Sequence, residues 1–352
     1  MQKIPGFICL LFASGLAYGN DSTARIGTTG IELVKTDSIV MRKELLTISQ
    51  REIKVEYDFY NQLDKPIETL IAFPMPVYGF DLGLSQYYIN NGPIKNFTVF
   101  SDGVQQETQA HYKAWLNERE ISAELAAAGL TREQMYITFA DCKLDNELSC
   151  NIPDEKIEQL KKIGAYTNDW QENKVRYPLG AARVPDKYGP TWDVEQTLAW
   201  TQKFNPKKIT TIVHTYQPLV GGIYNLPIEN ALLEENYQIQ AASIAKDNTE
   251  ACIDDAFKRA YNNKLNQLKQ AGAKNVMVML NDVEYVLGTG RNWSGPIQDF
   301  TLRIKKENKD QLVSLCFPGK PLRVDPLTLE FKHKNFVPQD KLVVYFYSFI
   351  VK

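Results

Sequence analysis

Histidine is scarce in this 352-residue chain: His111, His214 and His333 lie far apart, and none stands in a Gly-x-Ser-x-Gly, His-Glu-x-x-His or phosphate-loop setting. Neighbouring residues therefore assemble neither a metal triad nor a nucleophile with its base, and no metal or cofactor is expected. A charge excess of either sign is missing too. With 40 Lys+Arg against 42 Asp+Glu and a net charge of −2, the chain lacks the electrostatic footprint of a nucleic-acid partner. Glycine (20) and proline (17) are too few, and hydrophobic residues at 44% too many, for a disordered, collagenous or low-complexity chain. Beyond residue 19 no apolar run is long enough for a transmembrane segment.

What is present begins with an address. Met1-Gln2-Lys3 is followed by an apolar stretch over 4–17, and Ala17-Tyr18-Gly19 precedes the polar Asn20-Asp21-Ser22. One positive charge, a short apolar centre and small residues at the −3 and −1 positions predict a secretory signal peptide over 1–19, cleaved after Gly19. The stretch is too short for a membrane anchor and is interrupted by Pro5 and Gly6. The remaining chain is expected to be periplasmic or secreted. Cys9 leaves with the leader, and Cys142, Cys150, Cys252 and Cys316 remain, an even number that suits two disulfides in an oxidising compartment. Three pairings are open. The polar segment 141–150 favours a local Cys142–Cys150 bridge, leaving Cys252 to join Cys316 across a long loop, worth on the order of 4 kcal/mol in the loop-entropy picture.

Hydrophobic periodicity predicts a mainly β chain of β-sandwich type with α+β character. Segment 53–60 alternates strictly, Ile53, Val55, Tyr57 and Phe59 on one face and Lys54, Glu56 and Asp58 on the other. Turn chemistry at Asn61 to Pro66 predicts 67–73 as its hairpin partner, and further short strands are expected over 81–90 and 97–100. The pattern changes at about 114–190, a stretch read as a helical or loop-rich insertion: a helix ending at Gly129, a second start at Thr131 and a third helix from Pro153. Segments 194–204 and 209–216, joined by Asn205-Pro206-Lys207-Lys208, read as a hairpin completing an amino-terminal β-sandwich domain over 20–225. A carboxy-terminal β-rich domain over 226–352 carries one long helix at 249–271, and its last strand, 342–349, is apolar enough to be covered on both faces.

Few residues stand out as candidate contact groups. The run Gly288-Thr289-Gly290-Arg291-Asn292-Trp293 makes Arg291, Asn292 and Trp293 candidates for a binding loop, with the indole as a stacking platform; a tight connection whose Trp caps the sandwich is the simpler reading. Tyr112 and Trp115, beside His111, are the other ligand-binding candidates, and Tyr166, Trp170, Tyr177, Tyr188 and Trp192 extend them into a possible aromatic surface of the insertion. His214, inside an apolar strand, reads as a hydrogen-bonded structural histidine and His333 as a solvated strand end.

The opening Gly30-Ile31-Glu32-Leu33-Val34-Lys35-Thr36-Asp37-Ser38-Ile39, the segment from Tyr57-Asp58-Phe59-Tyr60-Asn61 to Phe73-Pro74-Met75-Pro76, and the Trp293-Ser294-Gly295-Pro296-Ile297 run resemble the bacterial secreted proteins of domain-of-unknown-function family 4424. The resemblance spans nearly the whole chain after the leader and implies an exported bacterial protein, but transfers no catalytic residue. The expectation is a non-enzymatic binding or structural module of the envelope that recognises a protein or glycan. The competing expectation is a hydrolase of envelope polymers using carboxylates with His111 or His214.

Overall fold

The structure, a computed structural model, describes residues 20–27, 30–75, 77–79, 93–136, 142–144, 148–150, 152–167, 189–226, 251–339 and 341–351. The predicted leader, the strand expected over 81–90, and Trp170, Tyr177 and Tyr188 lie outside them.

The protein is mostly β, as the periodicity predicts. An eight-stranded sheet runs in the order Leu322–Asp325, Thr328–Phe336, Ile297–Lys305, Ile39–Ile48, Ile53–Asn61, Ile209–Gln217, Lys95–Ser101, Val104–Gln105. A seven-stranded sheet holds Arg119–Glu120, Gln109–Leu116, Asp193–Phe204, Ile67–Pro74, Ser22–Gly27 and Gly30–Val34 in that order, with Tyr78–Gly79 beside Asp193–Phe204. Gly221–Leu226, Val276–Val286, Lys341–Val351 and Leu312–Leu315 form a four-stranded sheet. Inward side chains of all three share one core, among them Val55, Tyr57 and Phe59 from the first, Phe73, Leu198 and Trp200 from the second, and Val283, Val344 and Phe346 from the third. Strict alternation in Ile53–Asn61 puts every second residue there, since successive strand side chains point to opposite faces.

Two turns read as hairpins are arches between sheets. Ile53–Asn61 belongs to the eight-stranded sheet, whereas Ile67–Pro74 pairs with Asp193–Phe204 in the seven-stranded one. Asp193–Phe204 and Ile209–Gln217 part in the same way, on either side of Lys207 at φ 51°. Asn61 fastens both arches: its Nδ2 donates to the carbonyls of Lys65 (2.9 Å) and Phe204 (3.0 Å), and its Oδ1 accepts from the Leu63 amide (2.9 Å). A buried side chain satisfying both turns replaces the ladder bonds a hairpin would have made.

Strands from either side of residue 225 share the eight-stranded sheet. Ile297–Lys305 pairs in parallel with Ile39–Ile48, from Asp299↔Lys43 to Ile304↔Ile48, so the division at 225/226 runs through one sheet.

The helical insertion has its own small core. Helices Ser122–Ala127, Arg132–Met135 and Asp154–Lys162 surround Ile121, Leu125, Leu130, Ile152, Leu160 and Trp192. The first is shorter than its composition suggests, because Arg119–Glu120 turns back at Asn117 (φ 56°) to pair with Trp115 and Leu116. Thr131 and Gln134 form the capping box that starts the second. Tyr166 and Trp192 are buried in this core and are no part of an aromatic surface.

The long helix is Asp255–Gln270, beginning later than the 249–271 periodicity because Asp254 caps it, accepting from the Phe257 amide at 2.7 Å. Its Tyr261 and Leu265 pack on Val278, Leu280, Tyr345 and Tyr347, the second cover that the apolar last strand requires. Cys252, in the turn before the helix, is bonded to Cys316. Cys142 and Cys150 face each other in register in the hairpin of Cys142–Leu144 with Leu148–Cys150; their side chains lie outside the described residues. Among the described residues no helix is long and apolar enough to cross a membrane.

Candidate functional site

Strand pairing builds one cleft on the seven-stranded sheet. Gln109–Leu116 lies beside Asp193–Phe204 with His111 opposite Thr197, Tyr112 opposite Gln196 and Lys113 opposite Glu195. The short capped helix then brings Arg132 and Tyr136 over these strands, enclosing about 170 Å³. Tyr112 and Tyr136 stack with ring centroids 4.7 Å apart, and Tyr136 Oη donates to the Tyr112 carbonyl at 3.2 Å. Gln196 Nε2 donates to Tyr112 Oη at 3.1 Å. The Arg132 guanidinium stands 5.7 Å from the Tyr112 ring centre, held by a bond from Nη2 to the Ala110 carbonyl at 3.1 Å.

Charge in the cleft is mainly positive. Arg132 and Lys113 are joined by His111, whose pKa burial and then the Arg132 charge push below its ordinary value, so the imidazole is neutral at pH 7. The acid among the lining residues, Glu195, accepts a 2.8 Å bond from Trp115 Nε1. Trp115 thus supports the cleft wall rather than lining it, while Tyr112 lines it. Small-molecule pockets usually exceed ~300 Å³.

Arg291, Asn292 and Trp293 lie elsewhere, and the latter two hold the chain's own first described residues. Gly288–Asn292 is a short 3-10 helix. Trp293, 3% exposed, packs 4.3 Å from the Phe59 ring and donates from Nε1 to the Asp21 carbonyl at 2.8 Å, so its indole caps the sandwich and is no stacking platform for a ligand. Asn292 Nδ2 donates to Ser22 Oγ at 2.9 Å, and Arg291 Nη1 to the Pro338 carbonyl at 3.0 Å. Thr289 Oγ1 accepts from the Asn20 amide at 2.8 Å and donates to the Asn20 carbonyl. Gly290 is needed for this approach: a Cβ there would stand 2.9 Å from Asn20 Nδ2 and 3.2 Å from Pro338 Cγ.

Around Asn20 lies a buried polar cluster of Asp21, Glu44, Tyr57, His214 and Tyr285, each at most 1% exposed. Asn20 Nδ2 sits 3.4 Å from both Glu44 oxygens, its Oδ1 accepts from Tyr57 Oη, and the Tyr57 and Tyr285 hydroxyls are 3.3 Å apart. Burial raises Glu44 to about pKa 8 against the bond from Asn20; burial and then Glu44 raise Asp21 well above the carboxylate range. His214 is structural but not hydrogen-bonded as expected: among the described residues both ring nitrogens lack a hydrogen-bond partner, and Asp21 Oδ1 at 3.7 Å is beyond reach. Burial lowers its pKa to about 3, so the ring is neutral and lies among Phe73, Tyr57, Phe97 and Trp200. His333 is half-buried, its Nε2 3.0 Å from the Pro318 carbonyl, rather than a solvated strand end.

Glu44 was hidden in the sequence by a β-bulge. The register shifts between Met41 and Lys43, reversing the strand's parity, so Ile39 and Met41 face inward before it and Glu44, Leu46 and Ile48 after it. Among the described residues no three His, Cys, Asp or Glu side chains gather as a metal site.

A multi-sheet β protein with an aromatic, cationic cleft and a polar cluster sealed in its core is the class that fold and site define. The chain belongs to the family described as domain of unknown function (DUF4424), whose family model matches residues 19–345. It is similar to the crystal structure of a "putative nutrient binding protein" from Legionella pneumophila subsp. pneumophila str. Philadelphia 1, at 14% identity and a TM-score of 0.42, over 94% of this chain and 70% of that one. No curated protein matches it.

Proposed function

We propose that the protein is an exported bacterial envelope module that binds a protein or glycan without chemical turnover, through the cleft of Tyr112, Tyr136, Arg132 and Lys113. The observation that carries this reading is the stacked tyrosine pair beside Arg132: flat rings for apolar or sugar faces, and a cation beside them for an acidic group. Its small volume favours one protruding group of a polymer or protein over an engulfed small molecule. Export is supported by the leader-like pattern before Asn20 and by the Cys252–Cys316 bond. Binding is favoured over hydrolysis because Asp21 and Glu44, the acids whose pKa burial raises, have no access to a substrate, and Glu195 is engaged by Trp115.

A glycan array run with a turnover assay on cell-wall fragments tests the reading. Binding to an acidic or aromatic-faced glycan, weakened at least about tenfold by Arg132→Ala, is expected, the loss of one charged contact. Release of products from the fragments would overturn it in favour of a hydrolase.

A further inference from the structure

The buried cluster contains two carboxylates and no cation. Among the described residues, Asp21 is fully buried with both oxygens lacking a hydrogen-bond partner, Glu44 meets the neutral Asn20 amide, and His214 carries no charge. Isolated buried acids cost several kcal/mol unless a counter-charge reaches them. The neighbouring loop holds Asn20 to Ser22 in place: Thr289 bonds the Asn20 amide and carbonyl and Trp293 the Asp21 carbonyl, while Asn292 bonds the Ser22 hydroxyl and Gly290 leaves room for the Asn20 side chain. Thr289, Gly290, Asn292 and Trp293 of one loop hold the chain where the predicted leader ends.

We propose that this clamp is a binding site for a newly made α-ammonium group at Asn20. An envelope signal peptidase adds water across the Gly19–Asn20 peptide bond; Gly19 leaves with a carboxylate, and Asn20 keeps the nitrogen as an ammonium that Thr289 already accepts from. The new cation is the counter-charge for Asp21, one residue on, and Glu44, whose oxygens lie against the Asn20 side chain. Thr289 is the group at the nitrogen itself; around the Asn20 and Asp21 side chains stand Glu44 from Ile39–Ile48, Tyr57 from Ile53–Asn61, His214 from Ile209–Gln217 and Tyr285 from Val276–Val286. None supplies a positive charge at neutral pH, so the amine is unchallenged. Leader removal thereby completes the core, and the unprocessed chain is the less stable form.

The inference rests on the export reading, and two measurements separate them. Amino-terminal sequencing of the protein from an exporting host tests the processing site: Asn20 as first residue is expected, and any other first residue overturns the assignment. Docking is tested on residues 20–352, released from a fusion so that Asn20 is the first residue. Acylation of its α-amine at neutral pH, followed by mass spectrometry, is expected to run more than about tenfold slower in the native than in the denatured protein, because pairing and burial withhold the free base. Equal rates overturn the proposal. A Gly-Ser extension before Asn20 is expected to lower Tm by about 5 °C through loss of a buried ion pair. An unchanged Tm with an equally reactive amine overturns it as well, and the labelling result stands even if the extended chain fails to fold.

Discussion

The cleft at Tyr112 and the cluster at Asn20 are built from the same residue types, tyrosines, a histidine and acids, yet water makes them opposites. In the cleft His111 and Tyr136 keep contact with solvent, Arg132 brings a cation, and the strand carbonyls orient the groups. In the core the same chemistry is sealed: burial holds His214 neutral and raises the Glu44 pKa, and neither reaches solvent. The proposed recognition site thus draws on polar residues that are half-exposed and supported, and the proposed clamp on polar residues that are buried.

The comparison predicts unequal mutational costs. Trp293→Ala removes a buried indole together with the bond to the Asp21 carbonyl and should cost about 3–5 kcal/mol in urea denaturation. Trp115→Ala should cost only about 1 kcal/mol, since this Trp is half-buried and mainly orients Glu195. Equal costs would erase the distinction between clamp and cleft. Gly290→Ala, which forces Asn20 or Pro338 to shift, should cost about 1–3 kcal/mol and leave cleft binding unchanged.

Acid titration sharpens the contrast further. Glu44 has a folded-state pKa of about 8 against an ordinary 4.5, so its contribution is fully present below pH 4.5 and lost as pH rises through 8. His214 slopes the other way: its folded-state pKa of about 3 lies below the ordinary 6.5, so stability present above 6.5 is lost as pH falls toward 3. In a chain with its α-amine blocked, Glu44→Gln should flatten denaturation midpoints between pH 4.5 and 8, and His214→Phe those between 3 and 6.5. With the α-amine free, the alkaline loss should shrink even without substitution. A pH profile unmoved by Glu44→Gln would contradict the buried-acid account.

Much of this was legible from pattern, and what escaped did so for particular reasons. Alternation at Ile53 to Phe59 located the core, and the two-faced last strand anticipated the covering helix. The arches were misread because turn chemistry at Asn61 and Lys207 signals a reversal but not which sheet the chain enters next. Tyr112 and Trp115 drew attention as aromatics, but Arg132, Tyr136 and Glu195 join them only through pairing across 80 residues of chain and a capped helix. The Gly-Trp run was conspicuous for its composition; its partner, the polar triplet Asn20 to Ser22, looked like a cleavage-site flank.

The division between a recognising cleft and a folding cluster is tested most directly by one paired measurement: glycan-array binding and thermal unfolding of Arg132→Ala beside the unaltered protein. Because Arg132 is exposed and, among the described residues, bonded to the Ala110 carbonyl and set beside the Tyr112 ring, its loss should weaken binding at least about tenfold and move stability by no more than about 0.5 kcal/mol. Undiminished binding with the same stability would contradict the account and send the search for the ligand site away from the cleft.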